Sequence, residues 1–301
     1  MKWARWIGQG LLVVGLGWFV GGALRHQWAS FQSADLEVVI APGWLLVSGG
    51  LAVLTFGVLI QSWRVTLLGW NERLRGRELA EVWFLANLGR YLPGKVWSIA
   101  GMIVLATRKG VAAWAASAAA VVIQALGLAT AIAVAAATLP RAASGWSLVG
   151  AALLAGAGAM VFTSARLIDW IARKLPRLAG LRPLPLRALA GAVGFSVLGW
   201  IGYGASLWAL SFGLGIPGPL AFGVATGGFA LAYTAGLLAL FAPGGIVVRE
   251  GVLVAVLAPH LGAGPALALS LGSRVVLTVA ELLAATPFVY SWIRSESRAA
   301  G

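Results

Sequence analysis

The chain has 301 residues, 60% of them hydrophobic and only 10% charged, with a mean hydropathy of +0.91. A soluble fold of this length has no use for so much apolar surface, so the composition excludes one and points to a polytopic membrane protein. The absence of cysteine excludes a disulfide framework, a thiolate metal site and a cysteine nucleophile, and the net charge of +13 reads as loops beside anionic headgroups rather than a nucleic-acid surface.

Lys2 and Arg5 precede an apolar run to Leu24. It is long and lacks an A-x-A cleavage site, so it predicts a retained first span over about residues 4–24. Gly17 and Gly21 lie there in small-xxx-small spacing. A polar connection from Arg25 to Pro42 holds Asp35 and Glu37, with Trp28 and Trp44 as interface anchors. Span two is predicted over about 43–68, followed by a charged loop with Arg73, Arg75, Arg77, Glu72, Glu78 and Glu81. Residues 82–107 are interrupted at Pro93-Gly94. Each side offers too few apolar residues for a crossing, so this segment predicts a re-entrant hairpin that Arg108 and Lys109 return to its starting face. Span three, alanine-rich, covers about 111–138, Pro140 to Trp146 is an outer loop, and span four covers about 147–165. The connection from Arg166 to Arg187 carries six arginines and lysines against the single acid Asp169 and marks the inner face. Span five follows at about 188–212.

Residues 220–259 repeat the earlier anomaly: an apolar run reaches Phe241, breaks at Pro243-Gly244-Gly245 and restarts with Arg249-Glu250. Span six, about 266–290, contains Arg274 and Glu281. The cation asymmetry predicts both termini on the cytoplasmic side of the plasma (inner) membrane. The fold expected is an all-α integral membrane domain of about six transmembrane helices plus two re-entrant helical hairpins. Its halves, 1–139 and 146–292, have the same plan in opposite orientation, an inverted repeat. The alternative is eight spans, with 220–241 and 246–264 each crossing.

Seven charged residues fall within apolar segments: Arg64, Arg90, Lys95, Arg249, Glu250, Arg274 and Glu281. Each costs roughly 2.5–3.5 kcal/mol at a helix centre on insertion scales. Cations outnumber anions in this set, so pairing within it leaves positive charge over, and an acidic ligand group would supply the balance. A half-helix starting after Pro243-Gly244-Gly245 would present free N–H groups and a positive dipole end, with Arg249 on its first turn. Structural readings stand beside each functional one. Glu250 also suits a helix N-terminus, Arg274 and Glu281 suit ion pairs with Glu250 and Arg90, and Arg64 suits snorkelling. Asn87 suits an interhelical bond, and most tryptophans suit interface anchoring. His26 and His260 are far apart in this plan, so no metal and no cofactor are expected.

The stretches NLGRYLPGKVW (87–97) and FAPGGIVVREG (241–251), followed by Ser273-Arg274, resemble the lysylphosphatidylglycerol synthase transmembrane, or flippase-like domain, family. The resemblance covers about 40–290. It implies a membrane module with re-entrant helices that moves phospholipids or lipid-linked molecules between leaflets. It also implies that Arg90, Lys95, Arg249, Glu250 and Arg274 line the headgroup path; Asn87, Pro93, Gly94, Pro243, Gly244, Gly245, Glu281 and Arg64 are expected to support them. Only eleven residues follow span six, so no aminoacyl-transferase domain is expected. The expected function is therefore a lipid flippase for an anionic or zwitterionic headgroup, with membrane lipids as partners and no nucleic acid. One alternative is an integral-membrane polyprenyl-diphosphate phosphatase using Glu78 and Glu81, which Glu81→Gln would abolish. The other is a scaffold for a lipid-biosynthesis enzyme, which would bind its partner undiminished after loss of Arg90 and Arg249.

Overall fold

The computed structural model describes residues 40–91, 96–139, 182–216, 220–239 and 247–300. Expected spans one and four, the motifs Pro93-Gly94-Lys95 and Pro243-Gly244-Gly245, and most of the basic 166–187 connection lie outside the described residues. All regular structure among the described residues is helical: α1 (Pro42–Gly69), α2 (Gly76–Asn87), a 3-10 turn (Leu88–Tyr91), α3 (Val96–Arg108), α4 (Ala113–Thr138), α5 (Leu186–Gly213), α6 (Phe222–Leu238), α7 (Val248–Leu261) and α8 (Ala263–Ala300). Four of these are long and apolar enough to cross a bilayer: α1, α4, α5 and the Ala263–Arg294 part of α8. They match expected spans two, three, five and six.

Helix ends follow from local chemistry. At the end of α1 the Asn71 N–H donates to Leu68 O (3.0 Å) and the Glu72 N–H to Leu67 O (3.1 Å). This closure needs a left-handed residue, and Asn71 takes it at φ 60°. Gly110, at φ 93°, ends α3 in the same way, with Val111 N–H on Ala106 O (3.2 Å). At its start α2 is capped by Glu78, which accepts the Arg75 N–H at 2.8 Å.

Antiparallel α1 and α5 form the central seam. Ala41 N–H reaches Gly213 O (2.9 Å) at one end, and Trp70 Nε1–H reaches Arg182 O (2.9 Å) at the other. Between them Ser48 Oγ donates to Ser206 O (2.7 Å) and Ser206 Oγ can donate to Ser48 O (2.9 Å). A Cβ at Gly199 would collide with Leu59, so this glycine sets how closely the two helices approach. Close approach of small residues and interhelical hydroxyl bonds are what hold helices together where lipid tails remove the hydrophobic drive.

Around this seam α2 with α3 and α6 with α7 form two folded-back pairs, and α4 and α8 pack beside them. In the first pair Gly101 of α3 lies against Ala86 of α2, and Lys109 reaches back to Glu81 at 3.0 Å. In the second, Gly228 of α6 lies against Leu253 and Val256 of α7. The pairs approach from opposite ends of the molecule. The open end of α2–α3 lies with Trp70, Trp114 and the start of α5. The open end of α6–α7 lies with Thr138, Leu220 and Trp208. Arms of 12, 13, 17 and 14 residues are about 18 to 26 Å long at 1.5 Å per residue, each short of the ~30 Å hydrocarbon core.

Two regularities complete the architecture. Exchanging α1–α4 for α5–α8 maps every extensive helix–helix contact among the described residues onto another: α1·α4 onto α5·α8, α2·α8 onto α6·α4, α3·α4 onto α7·α8. Arg73, Arg75, Arg77, Arg108, Lys109, Arg182 and Arg187 lie in connections or helix ends at the Trp70 end. The opposite end carries no Lys or Arg among the described residues.

Candidate functional site

The inner ends of both folded-back pairs lie near the middle of the long helices, and the buried charge collects there. Phe56 is at the midpoint of α1, about 20 Å from either helix end. Phe84 of α2 stands edge-on to it at 5.9 Å. The 3-10 turn after α2 therefore delivers Arg90 to this depth, where its Nη2 meets Glu281 Oε1 of α8 at 3.2 Å. The same guanidinium bonds Asn87 twice, through Nη2 to Oδ1 (2.7 Å) and through Nε to the backbone O (3.2 Å). Asn87 Nδ2 in turn donates to Trp83 O at 2.9 Å. Asn87 thus holds the arginine three residues further along the chain rather than reaching another long helix.

On the second pair, Arg249 and Glu250 open α7. Glu250 Oε2 accepts the Val247 N–H at 2.8 Å, capping the helix. Its Oε1 takes Arg274 Nη1 of α8 at 2.6 Å and lies 3.6 Å from Arg249 Nη1. Val247 sits at φ 74°, a conformation that a β-branched residue adopts only at a cost of order 1–3 kcal/mol. The bond from its N–H to the Glu250 carboxylate is one of the contacts that hold this strained residue in place. Arg249 Nη2 donates to Ser273 Oγ (3.1 Å), whose hydroxyl in turn donates a hydrogen bond to Ser270 O (2.8 Å). The Arg249 guanidinium also lies 5.0 Å from the centroid of Phe229, close enough for a cation–π contact. These pairings account for the Ser273-Arg274 dipeptide: one residue steadies Arg249 and the next neutralises Glu250.

A cavity of about 180 Å³ opens onto this cluster, lined among others by Arg90, Arg249, Tyr203 and Tyr233. A second of about 80 Å³ adjoins it, lined by Arg90, Arg249, Arg274, Glu281 and Thr278. Phe56, Arg90, Tyr203, Tyr233 and Arg249 line both and form the partition between them. Three arginines and the carboxylate of Glu281 thus line adjoining cavities, drawn from both folded-back pairs and from α8, with Glu250 paired to Arg274 beside them.

Arg90, Arg249, Glu250, Arg274 and Glu281 are brought together; Lys95 and the two proline-glycine motifs lie outside the described residues. Arg64 is not drawn in. It is exposed on α1 and bonds Gln61 at 3.2 Å. The ion pairs expected on structural grounds, Glu250 with Arg274 and Glu281 with Arg90, are present at the same place as the cavities. The acids that a phosphatase would use have other partners: Glu78 caps α2 and Glu81 holds Lys109.

The aromatic wall was not expected from sequence. Trp200 is buried and donates to Thr130 Oγ1 (3.0 Å), Tyr203 stacks on Phe229 at 5.0 Å, and Tyr233 packs edge-on to Trp200 at 5.2 Å. Trp63 is buried as well. Interface anchoring does describe Trp44, grouped with Trp208 and Phe212 at one end, and Trp70 with Trp114 at the other. A usable signal existed: the chain has four tyrosines, and two of them fall in mid-helix of α5 and α6, where a phenol needs a polar neighbour.

An all-helical chain with four bilayer-length helices and a charged, aromatic-walled cavity at their mid-depth is an integral membrane protein. The profile of the family described as lysylphosphatidylglycerol synthase TM region matches residues 6–285, nearly the whole chain. The protein belongs to this lipid-related family of membrane domains. No curated protein sequence matches it.

Proposed function

We propose that the protein moves a lipid with an acidic headgroup between the leaflets of the plasma (inner) membrane, with the headgroup passing through the two adjoining cavities. The observation that carries this reading is the meeting of Arg90, Arg249 and Arg274 at mid-depth around open volume. Burying that much cationic charge in hydrocarbon is costly. Two carboxylates offset part of it, and a phosphate in transit would offset more while accepting charge-assisted bonds from the guanidinium forks.

The two folded-back pairs act as re-entrant hairpins in an inverted repeat whose halves are 1–139 and 146–292. Three features support this: the exchange pattern of helix contacts, the entry of the pairs from opposite ends, and arms too short to cross. Such repeats place a site at the bilayer midplane and allow one half to rock against the other. The clustering of cations at the Trp70 end supports a cytoplasmic position for that end and for both termini.

Reconstitution of the purified chain into vesicles carrying headgroup-labelled phospholipids in one leaflet tests the reading. Loss of leaflet asymmetry faster than in protein-free vesicles is expected. Retention of asymmetry for every anionic and zwitterionic lipid tried would overturn it.

A further inference from the structure

The two folded-back pairs are mirror-placed but not equally closed. At the end opposite Trp70, the backbone of α6 lies directly against the end of α4. A Cβ added at Gly223 would stand 3.2 Å from Thr138 O, and one at Gly227 would collide with the Thr138 hydroxyl and with Leu139. Glycine contacts of this kind let helix backbones approach closely and leave no passage between them. The counterpart toward the Trp70 end is α2 against α8. There side chains intervene: Phe84 stacks on Phe288 with ring centroids 5.6 Å apart, and Arg90 reaches Glu281.

Exposure and cavity shape follow the same asymmetry. The Arg90 side chain is 31% exposed, against 9% for Arg249 of the second pair. The larger cavity lies on the Trp70 side of mid-depth. On α1 its wall runs from Phe56 through Leu59 to Ser62, toward Gly69, and on α5 it includes Ser196, in the half that starts at the Trp70 end. From α6 it takes residues between Tyr233 and Leu237, at the opposite end of that helix from Gly223.

Taking the lipid-transport reading of the site as its basis, we infer that this structure is one of two states of an alternating-access cycle. The site is accessible from the Trp70 end and shut off from the opposite end by the contact of α6 with α4. An inverted repeat supplies the second state without new chemistry: when the halves exchange conformations, α2 closes on α8 and α6 parts from α4. The gate that must open is thus Gly223 and Gly227 against Thr138 and Leu139. None of these four residues lines either cavity, so the contact governs movement without touching the headgroup.

The chain has no cysteine, so the gate can be tied shut by an introduced disulfide. A Cβ at Gly223 would lie 3.7 Å from Thr138 Cβ, inside the range of about 3.5–4.5 Å that a disulfide spans. Gly223→Cys with Thr138→Cys should cross-link on mild oxidation of the full chain. In proteoliposomes carrying headgroup-labelled phosphatidylglycerol, the oxidised double variant should lose lipid movement. Reduction should restore it in the same vesicles, which separates a locked gate from a misfolded chain. Gln124 lines the larger cavity, so Gln124→Cys added to the cross-linked pair should react with a small impermeant thiol reagent applied at the Trp70 face and not at the other. Four results would each overturn the inference: failure to cross-link, movement undiminished by the cross-link, a loss that reduction does not reverse, or labelling of Gln124→Cys from the opposite face. If wild type itself moves no lipid, the transport reading falls, while the sidedness of Gln124→Cys labelling still decides which end is shut.

Discussion

Glu250 meets three demands at one carboxylate. It caps α7 through the Val247 N–H, neutralises Arg274 at 2.6 Å and faces Arg249 at 3.6 Å. A side chain 10% exposed cannot hand those partners to water if it is removed. Glu250→Ala should therefore destabilise the protein by roughly 3–5 kcal/mol, the range for breaking a buried pair and leaving its cations uncompensated. Glu250→Gln, which can still accept the capping N–H, should cost clearly less. Thermal melts in one detergent check both; equal melting temperatures for wild type and Glu250→Ala would show that the carboxylate is not holding the cluster. Residues of this type were legible in the sequence because charge inside hydrocarbon needs a reason. Tyr203, Tyr233 and Trp200 were not, since an aromatic in an apolar run looks the same whether it faces lipid or a cavity. Arg64 shows the converse: a charge near a helix end that reaches outward has no need of the cluster.

The helices that carry these residues are placed by close contact between small side chains. A Cβ on Gly204 of α5 would collide with Thr226 of α6, at 2.6 Å from its backbone Cα. Backbone cannot swing aside as a side-chain tip can, so Gly204→Val should push α6 off α5 and cost about 1–3 kcal/mol, the usual range for overpacking. It should also reduce lipid movement, because α6 carries Phe229 and Tyr233 into the cavity wall. A melting temperature unchanged by Gly204→Val would contradict the packing described. Orientation is tested at the same scale. The chain has no cysteine, so single cysteines report cleanly. In intact cells an impermeant maleimide should label His260→Cys and spare Arg73→Cys; the reverse pattern would invert the topology. The four bilayer-length helices were readable from apolar run lengths. The 17-residue length of α6 was not, because its apolar run continues in sequence to Phe241 beyond the helix end at Leu238.

At the scale of the molecule, the seam between α1 and α5 turns two separate breaks into one site. Each folded-back pair alone presents an arginine near its turn; packed on either side of the seam, they bring Arg90 and Arg249 into the walls of the same cavities. Sequence could suggest that the halves mirror one another, but the convergence depends on interhelical contacts such as Ser48 with Ser206, which no local pattern encodes. The central claim is that the cluster at mid-depth, rather than cationic charge in general, carries the headgroup. Its most direct test is the initial rate of phosphatidylglycerol movement in proteoliposomes for wild type, Arg249→Ala and Arg64→Ala, each at matched incorporation. Wild type and Arg64→Ala should move lipid at similar rates, with Arg249→Ala slowed by at least about tenfold, as expected when a buried charged partner is truncated. A rate for Arg249→Ala equal to that of wild type would contradict the account.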